Sequence, residues 1–204
     1  MHDHRFLALG DSYTIGEGVP EQQRWPAQLV ARLRAGDVPI AEPQIIARTG
    51  WTTDELAAAM DAAQFQPPYQ LVTLLIGVNN QYRGRPLDEY REQFRSLLQR
   101  AIGLTGSDPH RVLVISIPDW GVTSFAHDAR HDRQQIATQI DAFNEAAREE
   151  ADAQRARFVD VTDISRDPHC RHLLVADGLH PSGAQYARWV EVIAPVVRAI
   201  LKSM

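Results

Sequence analysis

FLALGDSYTIGEGV, residues 6–19, is an apolar run that stops abruptly and gives way to small, polar and acidic residues around one serine, Ser12. Such a run bounded by Gly10 reads as a buried strand, and a short polar turn then opens the next element. The helical period that follows in QRWPAQLVARLRAG puts Trp25, Leu29, Val30 and Leu33 on one face. Strand and helix together make a βα pair.

The pair repeats along the chain. IIART at 45–49 precedes TTDELAAAMDAA, where Thr52 or Thr53 can cap a helix and Glu55 occupies the position of a capping-box acid. LVTLLIG at 71–77 is apolar throughout, as a strand covered on both faces should be, and LDEYREQFRSLLQRAI follows. RVLVISIP at 111–118 is a fourth strand, followed by a long polar helix with Ile136, Ile140 and Phe143 facing inward. FVDV at 158–161 is a short fifth strand. PSGAQYARWVEVIAPVVRAIL closes the chain as a helix, with Pro181 suited to its first position and Pro195 placed to kink it. Five strands alternating with helices imply an α/β fold with a parallel sheet covered on both faces. A chain of 204 residues, 44% hydrophobic, is expected to form one domain over 1–204.

Bulk properties remove several classes of function. The net charge of −5, with basic residues scattered, leaves no footprint for nucleic acid or anionic lipid. No stretch approaches the length of a membrane span, and MHDHRF lacks the pattern of a secretory signal, so a cytoplasmic protein is expected. The lone cysteine, Cys170, excludes an internal disulfide. There is no GxSxG elbow, no complete dinucleotide fingerprint and no GxxxxGK.

Ligands in open parallel sheets sit beyond the carboxyl ends of the strands. Ser12 follows the first strand, Gly50 the second, and Gly77 and Asn79 the third, while DGLHPSG sets Asp177 and His180 before the last helix. Serine is a poor nucleophile until a base takes its proton, and neutral imidazole has the basicity for that task. His180 is the candidate base, and Asp177, three residues earlier, can fix its tautomer. The backbone N–H groups of Ser12 and Gly50 and the amide of Asn79 are candidate oxyanion donors. A plain alternative makes Ser12 an N-cap and the glycines turn residues.

The four blocks GDSYTIGEG, RTGWTT, IGVNN and DGLHPSG occur in order, and on these residues the chain resembles the GDSL family of lipases and esterases, also called SGNH hydrolases. The resemblance implies a flavodoxin-like three-layer α/β/α sandwich, with Ser12, Gly50, Asn79 and His180 as the named residues and Asp177 completing the triad. Two positions depart from the family pattern. Tyr13 stands where leucine is usual, and Asn80 replaces an aspartate expected to support the loop.

Several aromatic residues fall near these blocks. Tyr13, Trp51, Tyr82, Trp120 and Phe125, with Asn80, are candidate substrate-binding residues. They favour a compact apolar acyl or aryl ester, so the expected activity is hydrolysis of small esters or thioesters through an acyl-enzyme, with no cofactor. An acyltransferase or carbohydrate deacetylase of the same fold is the alternative chemistry. A non-catalytic zinc protein using His127 with His131, or His169 with Cys170 and His172, is the alternative class.

Overall fold

The computed structural model describes residues 3–128 and 132–202. Five strands form one sheet: β1 (Phe6–Gly10), β2 (Gln44–Ala47), β3 (Leu71–Leu75), β4 (Val112–Ile115) and β5 (Arg157–Val159), ordered β2-β1-β3-β4-β5. Every pairing is parallel, with Ala8 of β1 facing Ile45 on one side and Thr73 on the other. The chain leaves β1 for β2 and then crosses back to β3 on the opposite edge. This reversal opens a crevice beyond the carboxyl ends of β1 and β3.

The helices follow from the amphipathic stretches. They are α1 (Ser12–Ile15), α2 (Trp25–Arg34), α3 (Thr53–Ala62), α4 (Val78–Tyr82), α5 (Leu87–Leu104), α6 (Ser124–Asp128), α7 (Arg133–Ala153), α8 (Thr162–Arg166) and α9 (Gly183–Lys202). α2 and α9 pack together on one face of the sheet, and α3, α5 and α7 on the other. The inward residues are those of the apolar faces: Trp25, Leu29, Val30 and Leu33 on α2, and Ile136, Ile140 and Phe143 on α7 are all buried. β1 and β3 are buried at every position, as the continuous apolar runs require. Among the described residues no helix is long and apolar enough to cross a membrane.

One local expectation is narrowed and one changes. Thr52, and not Thr53, caps α3, in a reciprocal box with Glu55. Pro181 is not the first helical residue; it pairs with Leu174 in an antiparallel bridge, and α9 starts at Gly183. α9 runs on through Pro195, with Ile193, Ala194 and Val197 buried around it.

Candidate active site

β1 ends in a turn that leaves no slack. A Cβ on Gly10 would lie 2.2 Å from Thr14 Oγ1 and 2.5 Å from the Leu75 carbonyl, so only glycine lets α1 fold back against β3. Asp11 caps α1: its Oδ1 accepts the Tyr13 N–H at 3.0 Å. Ser12 is the first helical residue, where a backbone N–H has no acceptor within the helix. Ser12 is buried, and it is on the wall of the cleft described below. Asp11 is fully buried, and its Oδ2 has no hydrogen-bond partner among the described residues. Desolvation, partly offset by the backbone N–H bonds, pushes its pKa up to about 7.

Gly50 lies in the turn after β2 with φ +87°, a left-handed conformation that glycine adopts without strain. Two groups from the α4 region hold this turn. Arg83 Nη2 donates to the Gly50 carbonyl at 2.7 Å, with Nη1 3.4 Å from Glu55, and Asn79 Nδ2 donates to the Trp51 carbonyl at 2.9 Å. An amide nitrogen carries two protons, so Asn79 keeps one for another acceptor.

Asn80 is fully buried beneath the rim. Its Oδ1 accepts the Thr53 N–H at 3.1 Å and its Nδ2 donates to Thr53 Oγ1 at 2.7 Å. The Thr53 hydroxyl proton goes to Gln93 Oε1, which leaves Thr53 Oγ1 in need of a donor. An amide at position 80 supplies one and a carboxylate would not. The asparagine therefore suits its surroundings and ties α4 to the start of α3.

The acid and the imidazole meet at the other side. Asp177 Oδ2 lies 2.6 Å from His180 Nδ1, while Oδ1 accepts the N–H groups of Leu179 at 2.8 Å and His180 at 3.0 Å. Gly178, at φ +69°, makes that tight turn possible, and its carbonyl accepts from Phe125 N and Ser124 Oγ. Partial burial raises the Asp177 pKa, but the bonds from the His180 ring and the two N–H groups outweigh it and hold the carboxyl below its usual range. An ionised Asp177 can only accept, so Nδ1 carries the proton and Nε2 is the basic nitrogen.

Ser12, Gly50, Asn79 and His180 all line one cleft of about 210 Å³, together with Tyr13, Tyr82, Trp120 and Phe125. The Tyr13 ring lies 5.8 Å from that of His180, and Tyr82 and Phe125 flank Trp120 at 5.4 and 6.2 Å. Asn80 and Trp51 are not on its walls: the first is sealed below, and the second packs its ring against the core. Thr49, Val78 and Leu179 line it as well, and the one signal for them in the sequence is that each adjoins a motif residue. His169 and His172 are exposed while Cys170 is buried between them, and His131 lies outside the described residues. Among the described residues no three His, Cys, Asp or Glu side chains gather as a metal site, and His127 is exposed.

Known proteins share this architecture. Residues 8–188 match the model of the GDSL-like Lipase/Acylhydrolase family. Similar solved structures include the psychrotrophic esterase EstA from Pseudoalteromonas sp., 17% identical with a TM-score of 0.74, covering 98% of this chain and 100% of that one. TesA is 22% identical with a TM-score of 0.73, over 96% and 99% of the two chains. A variant of Axe2, an acetyl xylan esterase from Geobacillus stearothermophilus, is 18% identical with a TM-score of 0.73, over 96% and 95%. At these identities the likeness is one of fold. A search of curated protein sequences gives no match.

Proposed function

Because this chain belongs to the GDSL-like lipase/acylhydrolase family, a family of carboxylic ester hydrolases, we propose that Ser12, His180 and Asp177 are a catalytic triad cleaving small neutral esters or thioesters. The observation that carries the reading is the 2.6 Å contact from Asp177 to His180 Nδ1, made at the edge of the same cleft that exposes Ser12.

The reaction runs in two halves. His180 Nε2 takes the proton from Ser12 Oγ as the oxygen attacks the ester carbonyl carbon. The oxyanion that forms is held by the N–H groups of Ser12 and Gly50 and by the second amide proton of Asn79, and losing one such donor costs about 3 kcal/mol. The carbonyl re-forms, and the alcohol or thiol leaves with the proton from His180. Water then enters, gives a proton to His180 and attacks the acyl carbon, and Ser12 Oγ leaves as it is reprotonated. Asp177 stays ionised and stabilises the imidazolium in both halves.

The substrate class rests on the lining. Apart from His180 it carries no ionisable acid or base group stronger than a phenol, and its walls are largely aromatic and aliphatic. A neutral acyl or aryl group is desolvated there at little cost, whereas a charged one is not.

A fluorophosphonate probe followed by peptide mapping tests the nucleophile without presupposing a substrate. The expected result is a single adduct on Ser12, absent in His180→Ala, with p-nitrophenyl esters and thioesters then ranking the substrates. An adduct on another residue, or none on the folded protein, overturns the assignment.

A further inference from the structure

Trp120 does more than line the cleft. Its indole Nε1 donates to Gln81 Oε1 at 2.8 Å, and Gln81 Nε2 donates in turn to Gln139 Oε1 on α7 at 2.7 Å. Gln81 and Trp120 are both buried, so each of these polar atoms depends on its partner. The chain of donors has one direction. With Nε2 committed to Gln139, Gln81 presents its oxygen to the indole and fixes the plane of the ring.

Trp120 is also on the wall of a second, much smaller cavity of about 10 Å³, where Val122, Leu174 and Pro118 stand beside the polar Asp119, Ser165 and Arg171. The two cavities share Tyr13, Trp120 and Leu179 on their walls. Tyr13 is set by the nucleophile turn and Leu179 by the Asp177 turn, so the indole is the partition held by neither catalytic segment.

We propose that Trp120, pinned by Gln81 and Gln139, is the end wall of the acyl pocket and restricts this hydrolase to short acyl groups. This deepens the triad reading and rests on it. Trp120 is the specificity-determining residue, and Gln81 is a positioning residue that acts through it. Removing the indole joins the cleft to the space before Leu174 and Val122 and admits a longer chain. Removing only the Gln81 acceptor leaves the wall in place but lets it turn, which admits the longer chain in part.

Two series of substrates read this out: p-nitrophenyl esters from acetate to decanoate, which vary the acyl group, and acetate esters of lengthening alcohols. In the wild-type enzyme kcat/KM is expected to fall beyond the short chains of the acyl series. Trp120→Ala is expected to raise the decanoate-to-butyrate ratio of kcat/KM roughly tenfold or more, the range that pocket contacts with a few methylenes command. Gln81→Leu is expected to raise it several-fold, and to have no further effect when combined with Trp120→Phe, which retains a ring but has no N–H to pin. A general loss of stability would lower both esters together and leave the ratio alone.

An unchanged ratio in Gln81→Leu, or an equal shift in the Trp120→Phe background, overturns the relay. A shift confined to the alcohol series overturns the assignment of the wall to the acyl side. Fluorophosphonate labelling of each variant separates these results from failure of the triad: labelled Ser12 with an unchanged ratio sinks only the wall, whereas unlabelled folded wild-type protein sinks the triad and the wall with it.

Discussion

The turn that presents Ser12 is sealed, with Asp11 and Thr14 fully buried and Gly10 wedged against the Leu75 carbonyl. The turn that presents His180 is open. The Asp177 side chain is 42% exposed, and the segment leading to it is held by short turns and by the Gly178 contacts to Ser124 and Phe125. One of the two proposed catalytic segments is thus set into the core, and the other is held nearer the surface by the bonds of its own turns and the Leu174–Pro181 bridge. The contrast has a chemical counterpart: the carboxylate beside Ser12 is pushed up by burial, and the carboxylate beside His180 is held down by its donors. A nucleophile gains from immobility, whereas the base must hold a proton, pass it on and tolerate the charge that results.

The sharpest test of that comparison removes each group in turn. Ser12→Ala and His180→Ala should each lower kcat/KM by roughly 10⁴-fold or more, with thermal unfolding little changed, since neither side chain supports the core. Asp177→Asn should cost less, about a hundredfold, because the solvated carboxylate orients the ring and takes no proton itself. Steady-state rates on one activated ester, with unfolding curves for all three proteins, decide it. A fully active His180→Ala would break the comparison, leaving the open turn with no base to present.

The two carboxylates also predict opposite responses of stability to pH. The folded pKa of Asp11 is raised, so folded protein binds more protons there than the unfolded chain between about pH 4 and 7. Its contribution to stability therefore falls as pH rises through that window, and the loss is complete above about 7. Asp177 is depressed, so its contribution is present above the ordinary carboxylate range and is lost as pH falls through the folded value. Asp11→Asn keeps an acceptor for the Tyr13 N–H without the buried charge. It should leave stability near pH 4 almost unchanged and raise it at pH 8 by roughly 4 kcal/mol at most, because each tenfold change in proton affinity is worth about 1.4 kcal/mol. Denaturant unfolding at the two pH values checks this, and equal effects at both would mean that Asp11 is not a buried titrating group.

Glycine substitutions sharpen the comparison at a smaller scale. In Gly10→Ala the new methyl meets a backbone carbonyl that cannot move aside, and the expected cost is about 3 kcal/mol of folding stability. In Gly178→Ala the obstruction is Ser124 Oγ, the end of a side chain that rotates away at the cost of its bond to the Gly178 carbonyl, and the strain of a left-handed alanine is only about 1 kcal/mol. Activity per folded molecule should fall more in Gly178→Ala, whose turn aims His180. The reverse pattern, a stable Gly10→Ala with poor turnover, would show that the sealed turn tunes chemistry more than folding.

The same division explains what can be read along the chain. Strand and helix types follow from apolar runs and periodicity, both local properties, and β1 and β3 are as uniformly buried as LVTLLIG and FLALG suggest. Ser12, Gly50 and Asn79 could be singled out because each follows a strand by a few residues at the sheet's carboxyl rim, and His180 because it precedes the last helix. Trp51 and Asn80 adjoin Gly50 and Asn79, which points to the cleft, but successive residues in a turn face different ways: Trp51 packs inward and Asn80 locks onto Thr53. Gln81 carries no signal, because its partners lie 39 and 58 positions away and only the fold brings them together. Pro181 misleads for the same reason, since its pairing with Leu174 outweighs its preference for a helix start.

Between the sealed turn and the open one stands the Gly50 turn, and Arg83 decides which it resembles. The guanidinium holds the Gly50 carbonyl from outside, half exposed, while Asn79 holds the next carbonyl from within the cleft. If the turn is kept in place mainly by its own left-handed glycine and by Asn79, Arg83→Gln should lower kcat only a few-fold, because an exposed hydrogen bond contributes about 1 kcal/mol. KM should barely move, since Arg83 is not on the wall of the cleft. The pattern is specific to an oxyanion donor: misplacing the Gly50 N–H weakens binding of the charged tetrahedral state and leaves the neutral ester unaffected. Rates for wild type and Arg83→Gln on one ester, set beside their affinities for a boronic acid that mimics the tetrahedral state, test this directly. Parallel small losses in kcat and boronate affinity would place the Gly50 turn with the sealed region, braced but not dependent on its surface contact. A hundredfold loss in both would place it with the open one, held in register by a single arginine.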